Sequence, residues 1–344
     1  MTAERQSTMT QWLPDGFIAR PAQLDDVEAV VALVNACSLE LIGKPECEAS
    51  EYRNDWQSPS LNMVSDLRVV LAPDGKFVGY AGVWDPQPHV RLYSWGYVHP
   101  EYRGRGIGTY LVHWLEGRAR QAVAQAPDGA RVTLQQDRLT CDELGQALLR
   151  QQGFTKTRYF FRMLIEMETP PPVPNLPAGI RIRTFDHAAD LRALIHADRE
   201  AFKDHWGYVE HPFEEDYQEW VHWIANDPDH DPTLWFLAVD GEDLAGISLC
   251  KPKMAEDPEM GYISSLAVRR RWRRQGIALA LLHHTFGEFF RRGTRKVSLD
   301  VDADSLTGAL RLYEKAGMHV MRQSTNYEKE LRPGEELSTQ SLAE

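Results

Sequence analysis

The chain has 344 residues, more than one ordinary domain holds and enough for two of roughly 150 to 170 residues, each able to bury a core. Its composition, 43% apolar and 26% charged, is globular, and no apolar run approaches the ~18 residues that span a bilayer, so no helical membrane span is expected. The formal charge of −12 argues against a nucleic-acid groove and agrees with a cationic substrate such as an amine, although acidity also serves plain solubility.

Cys37, Cys47, Cys141 and Cys250 form no CxxC pair and show no histidine spacing of a zinc site, so no metal is expected and a reducing cytoplasm fits best. The stretch from Met1 to Pro14 lacks the basic start and apolar centre of a secretory signal. Residues 1–15 are expected to be a disordered lead-in.

From there the pattern predicts a strand over Phe17 to Arg20, then a helix start marked by Asp25 and Asp26. A hairpin comes next, Leu67 to Leu71 and Phe77 to Val83 about Pro73-Asp74-Gly75. A strand over Leu92 to Val98 leads into a glycine loop and a helix that carries Ile107, Leu111, Leu115 and Ala119 at helical spacing. A further strand, a short helix and a closing strand complete a first domain over 16–167. The segment 168–179 holds five prolines, which join neither a helix interior nor a sheet ladder, and is expected to be a linker. The same order then recurs: a strand over Ile180 to Thr184, a helix start at Asp186 and Asp190, a hairpin Leu234 to Val239 and Leu244 to Leu249 about Asp240-Gly241-Glu242, a strand Tyr262 to Val268, and a helix with Ala278, Leu282, Phe286 and Phe289 on one face. This predicts a second domain over 180–332, and 333–344 is expected to fray. Antiparallel strands leading into a strand–loop–helix crossover imply a mixed α/β (α+β) sheet.

The repeat is visible residue by residue. Val98-His-Pro-Glu-Tyr-Arg-Gly-Arg-Gly-Ile-Gly108 aligns without a gap on Val268-Arg-Arg-Arg-Trp-Arg-Arg-Gln-Gly-Ile-Ala278, and Ala147 to Phe154 aligns on Arg311 to Met318. In the first pair, Arg103, Gly104, Arg105, Gly106, Ile107 and Gly108 lie where a strand ends and a helix begins; Arg273, Arg274, Gln275, Gly276, Ile277 and Ala278 do so in the second. Backbone N–H groups there have no intrahelical partner, glycine permits close approach, and arginine adds charge, which together describe a cradle for phosphate. The absent Gly-Lys-Ser/Thr ending excludes a Walker-type loop.

These loops resemble motif A of the GNAT acetyltransferases, and Gly308-Ala-Leu-Arg-Leu-Tyr-Glu-Lys-Ala-Gly-Met318 resembles that superfamily's motif B. The resemblance runs from about Gly16 to Leu331, and the two-copy layout is similar to that of mycothiol synthase. It implies two tandem acyl-CoA N-acyltransferase domains with acetyl-CoA as cosubstrate, its pyrophosphate on the glycine loops and its carbonyl polarised by backbone N–H near Leu266, Ala267 and Val268. Tyr97 and Val98 are the counterparts in the first copy. It further implies Tyr313 as the acid that protonates the leaving thiolate, with Ser305 near the cofactor. Leu149 aligns with Tyr313 and donates nothing, so the second copy is expected to be the catalyst and the first a degenerate one. Trp95 and Tyr97, which align with Ser265 and Ala267, are expected to plug the first site.

For a general base the sequence offers Glu259, whose first-copy counterpart is His89; Asp302 and Asp304 are further candidates. Glu259 reads equally as a solvated turn carboxylate. The acceptor side is expected at His205, Trp206 and Tyr208 beside the acidic Glu214, Glu215 and Asp216, a setting for a small-molecule amine through cation–π and ionic contacts. Phe202 reads as core. The leading reading is an acetyl-CoA-dependent N-acetyltransferase acting on a small amine. A non-catalytic acyl-CoA sensor and a protein or peptide N-acetyltransferase stand as alternatives, and the sequence names neither the acceptor nor an oligomeric state.

Overall fold

The computed structural model describes residues 13–342; most of the expected lead-in, residues 1–12, lies outside them. The first half runs β1 (Ile18–Pro21), α1 (Val27–Ile42), α2 (Ala49–Trp56), the single turn α3 (Met63–Asp66), β2 (Leu67–Leu71), β3 (Phe77–Trp84), β4 (Arg91–Val98), α4 (Ile107–Ala122), β5 (Val132–Leu139), α5 (Glu143–Gln151) and β6 (Thr155–Glu166). The second runs β7 (Ile180–Thr184), α6 (His187–Phe202), α7 (Phe213–Asn226), β8 (Phe236–Asp240), β9 (Asp243–Lys251), β10 (Met260–Val268), α8 (Ile277–Arg291), β11 (Lys296–Asp302), α9 (Ala309–Lys315) and β12 (His319–Arg332).

Both halves start from one device. Arg20 donates to both oxygens of Asp26, at 2.6 and 2.8 Å, and Asp26 accepts from the Gln23 N–H at 2.8 Å. Arg183 and Asp190 form the same fork, with the Asp186 N–H as third donor. A bidentate arginine–carboxylate pair fixes both partners in direction, and here it sets the angle at which the first strand enters the first long helix. Because Asp26 and Asp190 match, α1 and α6 can be aligned position by position.

The chain divides into two compact units, and these do not follow the repeat boundary. Unit 1 comprises residues up to Thr157, His211–Asp227 and Ser324–Leu337; unit 2 comprises Arg158–Glu210, Pro228–Gln323 and the residues from Ser338. The strand order in unit 1 is β1-β2-β3-β4-β5-β12, and in unit 2 it is β6-β11-β10-β9-β8-β7. In each, one internal pair is parallel, β4 with β5 and β10 with β11. The closing strands are exchanged: Ser324 to Arg332 pairs antiparallel with β5, from Ser324–Leu139 to Arg332–Val132, while β6 pairs antiparallel with β11, from Lys296–Glu166 to Asp302–Phe160. The expected boundary at 168–179 thus marks the repeat in sequence and not the edge of a packed body.

Residues 333–342 are not a free tail. Glu335 N–H donates to the Gly129 carbonyl and its own carbonyl accepts from Arg131 N–H, both at 2.8 Å. Within unit 2, Thr339 exchanges backbone bonds with Gly207 and Tyr208 at 2.7 and 2.9 Å. The segment has no apolar period because backbone pairing, and not side-chain burial, holds it. The unit 1 core gathers Val27, Val30, Leu33, Val34, Trp56, Val69 and Tyr80; that of unit 2 gathers Leu234, Phe236, Leu281, Phe286, Phe289, Val297 and Leu299.

Strand exchange makes unit 1 depend on residues at the far end of the chain. Truncation after Gln323 should strip amide protection from β5 and lower the unit 1 melting temperature by on the order of 10 °C. Unchanged exchange over Val132–Leu139 would show that unit 1 closes without that strand.

Candidate functional site

In both units the helix after the parallel strand begins at a glycine in the left-handed region, Gly106 at φ 84° and Gly276 at φ 87°. Gly104 (φ 74°) precedes the first, and Arg274 holds the same conformation at φ 61° in the second, a state that costs a non-glycine residue about 1 kcal/mol. A Cβ added at Gly104 or Gly276 would meet no atom within 4 Å, so both loops present open backbone beside the free N–H groups of a helix start, which suits a pyrophosphate. The first arginine of each loop is committed elsewhere. Arg273 is ion-paired with Asp204 and donates to the Val268 and Ala201 carbonyls at 2.9 Å, and Arg103 pairs with Glu40. These are braces between loop and helix. The charge left facing outward comes from Arg105 and from Arg274, both exposed.

Beside the loop of unit 1 lies a cavity of about 360 Å³ walled by Tyr97, Val98, Arg103, Gly104, Gly106 and Gly108 together with Cys37, Arg138 and Asp142. Arg105 and Ile107 are not on its wall. A Cβ at Gly108 would come within 2.9 Å of the tip of the Leu148 side chain. Leu149 is fully buried. Trp95 and Tyr97, the latter also on the cavity wall, pack against the core beneath α1 and α2. Tyr97 stacks on Tyr80 with ring centroids 6.4 Å apart, Trp56 donates to the Tyr80 hydroxyl at 3.0 Å, and Trp95 covers Gly82 so closely that a Cβ there would lie 2.3 Å from the indole. These rings fill the space between β4 and the helices α1 and α2, while the cavity beside the glycine loop stays open.

Unit 2 has the converse arrangement. Its cavity, about 230 Å³, is walled by Tyr313, Ser305, Leu266, Ser264, Ser265, His205, Trp206, Phe202, Phe160, Asp300 and Asp302. It collects Tyr313, Ser305, Leu266, His205 and Trp206 from the expected site. It is not lined by Ala267, Val268, Arg273, Arg274, Gln275, Gly276, Ile277 or Ala278, which form the loop and strand end. Tyr208 is also off the wall, and its buried hydroxyl finds no hydrogen-bond partner. Glu259 is exposed on the turn before β10 and away from the cavity. Glu214, Glu215 and Asp216 count with unit 1, where Glu215 accepts from Gln87.

Backbone geometry separates the units too. β4 runs against β3 in unbroken register from Trp84–Tyr93 to Gly79–Val98. β10 slips against β9 between Ile263 and Ser265, a bulge at Ser264 that bends the strand and re-aims the residues after it. Pairing of β10 with β11 stops at Ile263–Leu299, so the backbone beyond it opens toward the cavity.

The titratable groups of this cavity fall into two classes. Asp302 accepts from Arg158 at 2.7 Å, and Asp300 accepts from Arg162 and from the Tyr262 hydroxyl. Asp198, on α6, accepts from the Ser265 hydroxyl at 2.8 Å and among the described residues has no ion pair. Burial pushes its carboxyl up to about 6, with the Ser265 bond and the Arg199 charge opposing only in part. Burial also pushes Tyr313 up to about 12, keeping the phenol protonated at neutral pH. It lowers His205, which the nearby Arg273 charge lowers further, so that ring is neutral.

Residues 31–137 and 191–318 match the model of the acetyltransferase (GNAT) family. The chain belongs to this family. It is 30% identical over 304 residues to a mycothiol acetyltransferase of Thermobispora bispora, covering 85% of this chain and 92% of that one. A mycothiol acetyltransferase of Geodermatophilus obscurus is likewise 30% identical, covering 85% and 90%. Among solved structures, a GCN5-related N-acetyltransferase from Sphaerobacter thermophilus has a TM-score of 0.77 at 40% identity, covering 95% of this chain and 99% of that chain. A tandem GNAT protein from the clavulanic acid biosynthesis pathway shares the fold, with a TM-score of 0.70 at 16% identity over 93% and 100%. No helix among the described residues is long and apolar enough to cross a membrane.

Phe160, Ser264 and Asp300 on the wall of the acetyltransferase's unit 2 cavity, and Asp198 behind Ser265, escaped the sequence reading, and Phe202, read there as core, is on that wall too. Phe160 belongs by sequence to the first copy and enters through the exchanged β6. Asp198 carried a usable signal: it continues the apolar stripe Leu191, Leu194, Ile195 at helical spacing, where a carboxylate is out of place.

That carboxylate fixes the sign of a stability effect. Its folded pKa of about 6 exceeds the unfolded ~3.9, so the stability due to its protonated form is present below pH ~4 and lost as pH rises to ~6. Asp198→Asn should therefore gain on the wild type across that window and melt higher at pH 7. Denaturation at both pH values checks it; a difference that does not grow with pH would contradict it.

Proposed function

We propose that this GNAT protein transfers an acetyl group from acetyl-CoA to the amine of a small molecule, and that the reaction takes place in unit 2. The observation that carries this is the meeting of Tyr313 with an open acceptor cavity below the bulged strand β10. Relatives named mycothiol acetyltransferase favour a small-molecule acceptor over a peptide.

Acetyl-CoA fits the glycine loop through backbone N–H groups of Gly276, Ile277 and Ala278 at the start of α8, with Arg274 supplying charge and Ser305 near the pantetheine side. Carbonyl polarisation falls to backbone N–H of β10 between Leu266 and Val268, where the ladder to β11 has ended. Attack by the amine forms a C–N bond and breaks the C–S bond, so the electron pair leaves with sulfur and sulfur needs a proton. Tyr313 is the donor. A phenol near 12 yields its proton to a thiol near 8.5 at a cost of ~5 kcal/mol, offset when the acylated nitrogen gives up its own proton. Trp206 and Phe202 offer aromatic faces to the acceptor.

Unit 1, with its loop and cavity but with Leu149 and an aromatic plug, is read as an acyl-CoA site without turnover. This keeps the sensor reading for that unit alone.

Release of CoA thiol across a panel of amines and amino-thiols is the test. Tyr313→Phe should lower kcat by roughly 10²-fold with acetyl-CoA affinity little changed. Full activity in Tyr313→Phe combined with its loss in Gly106→Glu would move the chemistry to unit 1 and overturn the proposal.

A further inference from the structure

The unit 2 cavity holds a polar pair that nothing structural demands. Ser265, on the cavity wall, gives its hydroxyl hydrogen to Asp198 behind it. Asp198 is mostly buried on the apolar face of α6 and among the described residues forms no ion pair; a carboxylate in that setting costs folding free energy unless it serves something else. The other copy supplies the control. Val34 stands as far after Asp26 as Asp198 does after Asp190, and Trp95 aligns with Ser265. Val34 is buried there at 1% exposure, and Trp95 packs against the same core. Where no acceptor cavity exists, the pair is apolar. Where one exists, the same positions carry a hydroxyl and a carboxylate, and the bulge at Ser264 delivers Ser265 to the wall.

We infer that Ser265 and Asp198 form a proton relay for the acceptor amine. This deepens, and rests on, the acetyl-transfer reading of unit 2. The substrate class it names is a primary amine that arrives as ammonium. An ammonium N–H donates to Ser265 Oγ; as that proton moves to Oγ, the serine proton moves to Asp198, and the nitrogen is left with the lone pair it needs. The amine then attacks the thioester carbonyl, the C–S electron pair goes to sulfur, Tyr313 protonates the thiolate, and the second nitrogen proton restores the phenol. Asp198 later releases its proton to solvent, so one amine proton ends in solution and one on the CoA thiol. Ser265 touches the substrate; Asp198 acts through it as a positioning and accepting group. The groups that face Asp198 are Arg199 on its own helix and Tyr208 on the following loop. β10 presents Ser265, and β9 from Leu244 to Leu249 carries no ionisable side chain.

The test is the pH profile of CoA-thiol release in the full chain at saturating acetyl-CoA, for wild type, Asp198→Asn, Ser265→Ala and Tyr313→Phe, with acetyl-CoA affinity measured by calorimetry. The wild type should show an acidic limb near 6. Asp198→Asn and Ser265→Ala should each lose that limb and on the order of 10²-fold in kcat, with acetyl-CoA affinity unchanged. Tyr313→Phe should keep the limb and fall by a constant factor. A limb that persists in Asp198→Asn with kcat within about twofold of wild type overturns the relay while leaving acetyl transfer intact. A wild type that binds acetyl-CoA and releases no thiol with any amine overturns the acetyl-transfer reading and the relay with it.

Discussion

Two parallel strands that start paired and then part are the constraint on which each unit is built. Backbone groups in a closed ladder are spent on one another; where β10 leaves β11 after Ile263, those beyond it must find partners elsewhere. The helix that comes after β10 starts at the same opening and brings its own unpaired N–H groups. In the proposed reaction a thioester carbonyl and a pyrophosphate would be served from one edge, several residues apart along one run of chain. Arg273 ties this run to the end of α6 through the Ala201 carbonyl and to Asp204 just beyond it, and two arginines, Arg270 and Arg273, hold that aspartate down to about pKa 2. The brace is thus charged at any working pH, and the loop keeps its distance from the acceptor helix.

The duplication sets two versions of the same frame side by side. In unit 1 the opening persists, but Arg138 spans it by donating to the Gly96 carbonyl at 2.7 Å. The register of β3 and β4 runs straight, and aromatic rings pack where unit 2 has its cavity. Each change adds buried apolar surface or satisfies a polar group, so unit 1 gains in packing. Unit 2 retains a kinked strand, a lone carboxylate and a left-handed arginine at 274, and such local costs cluster where function holds them.

Much of this was legible in the chain. The hairpins at Asp74-Gly75 and Asp240-Gly241, the strand–glycine–helix passage and the position of Tyr313 arise from turn chemistry and periodicity that act over a few residues. The exchange of β6 and β12 was not, because an alternating strand satisfies either neighbouring sheet equally and its pattern carries no address. The same ambiguity put the acidic start of α7 beside the acceptor, whereas it counts with unit 1. Glu259 was drawn from a count along the chain; the turn that carries it faces solvent at the closed end of the β10–β11 pair, and the cavity lies at the open end. Asp198 was visible as a fault in an apolar stripe, and reading that fault required knowing that Ser265 faced it.

The exchanged strands also bear on how the protein is made. A ribosome releases residues in order, at about 5–20 per second, and the edge of β5 has to wait for Ser324 to Arg332, which follow it only after most of the second repeat. Until they emerge the first half carries an open sheet edge, the kind of surface that invites pairing with other chains. Neither repeat carries within its own sequence the strand that closes its sheet, so a cut between the repeats leaves each half without that strand.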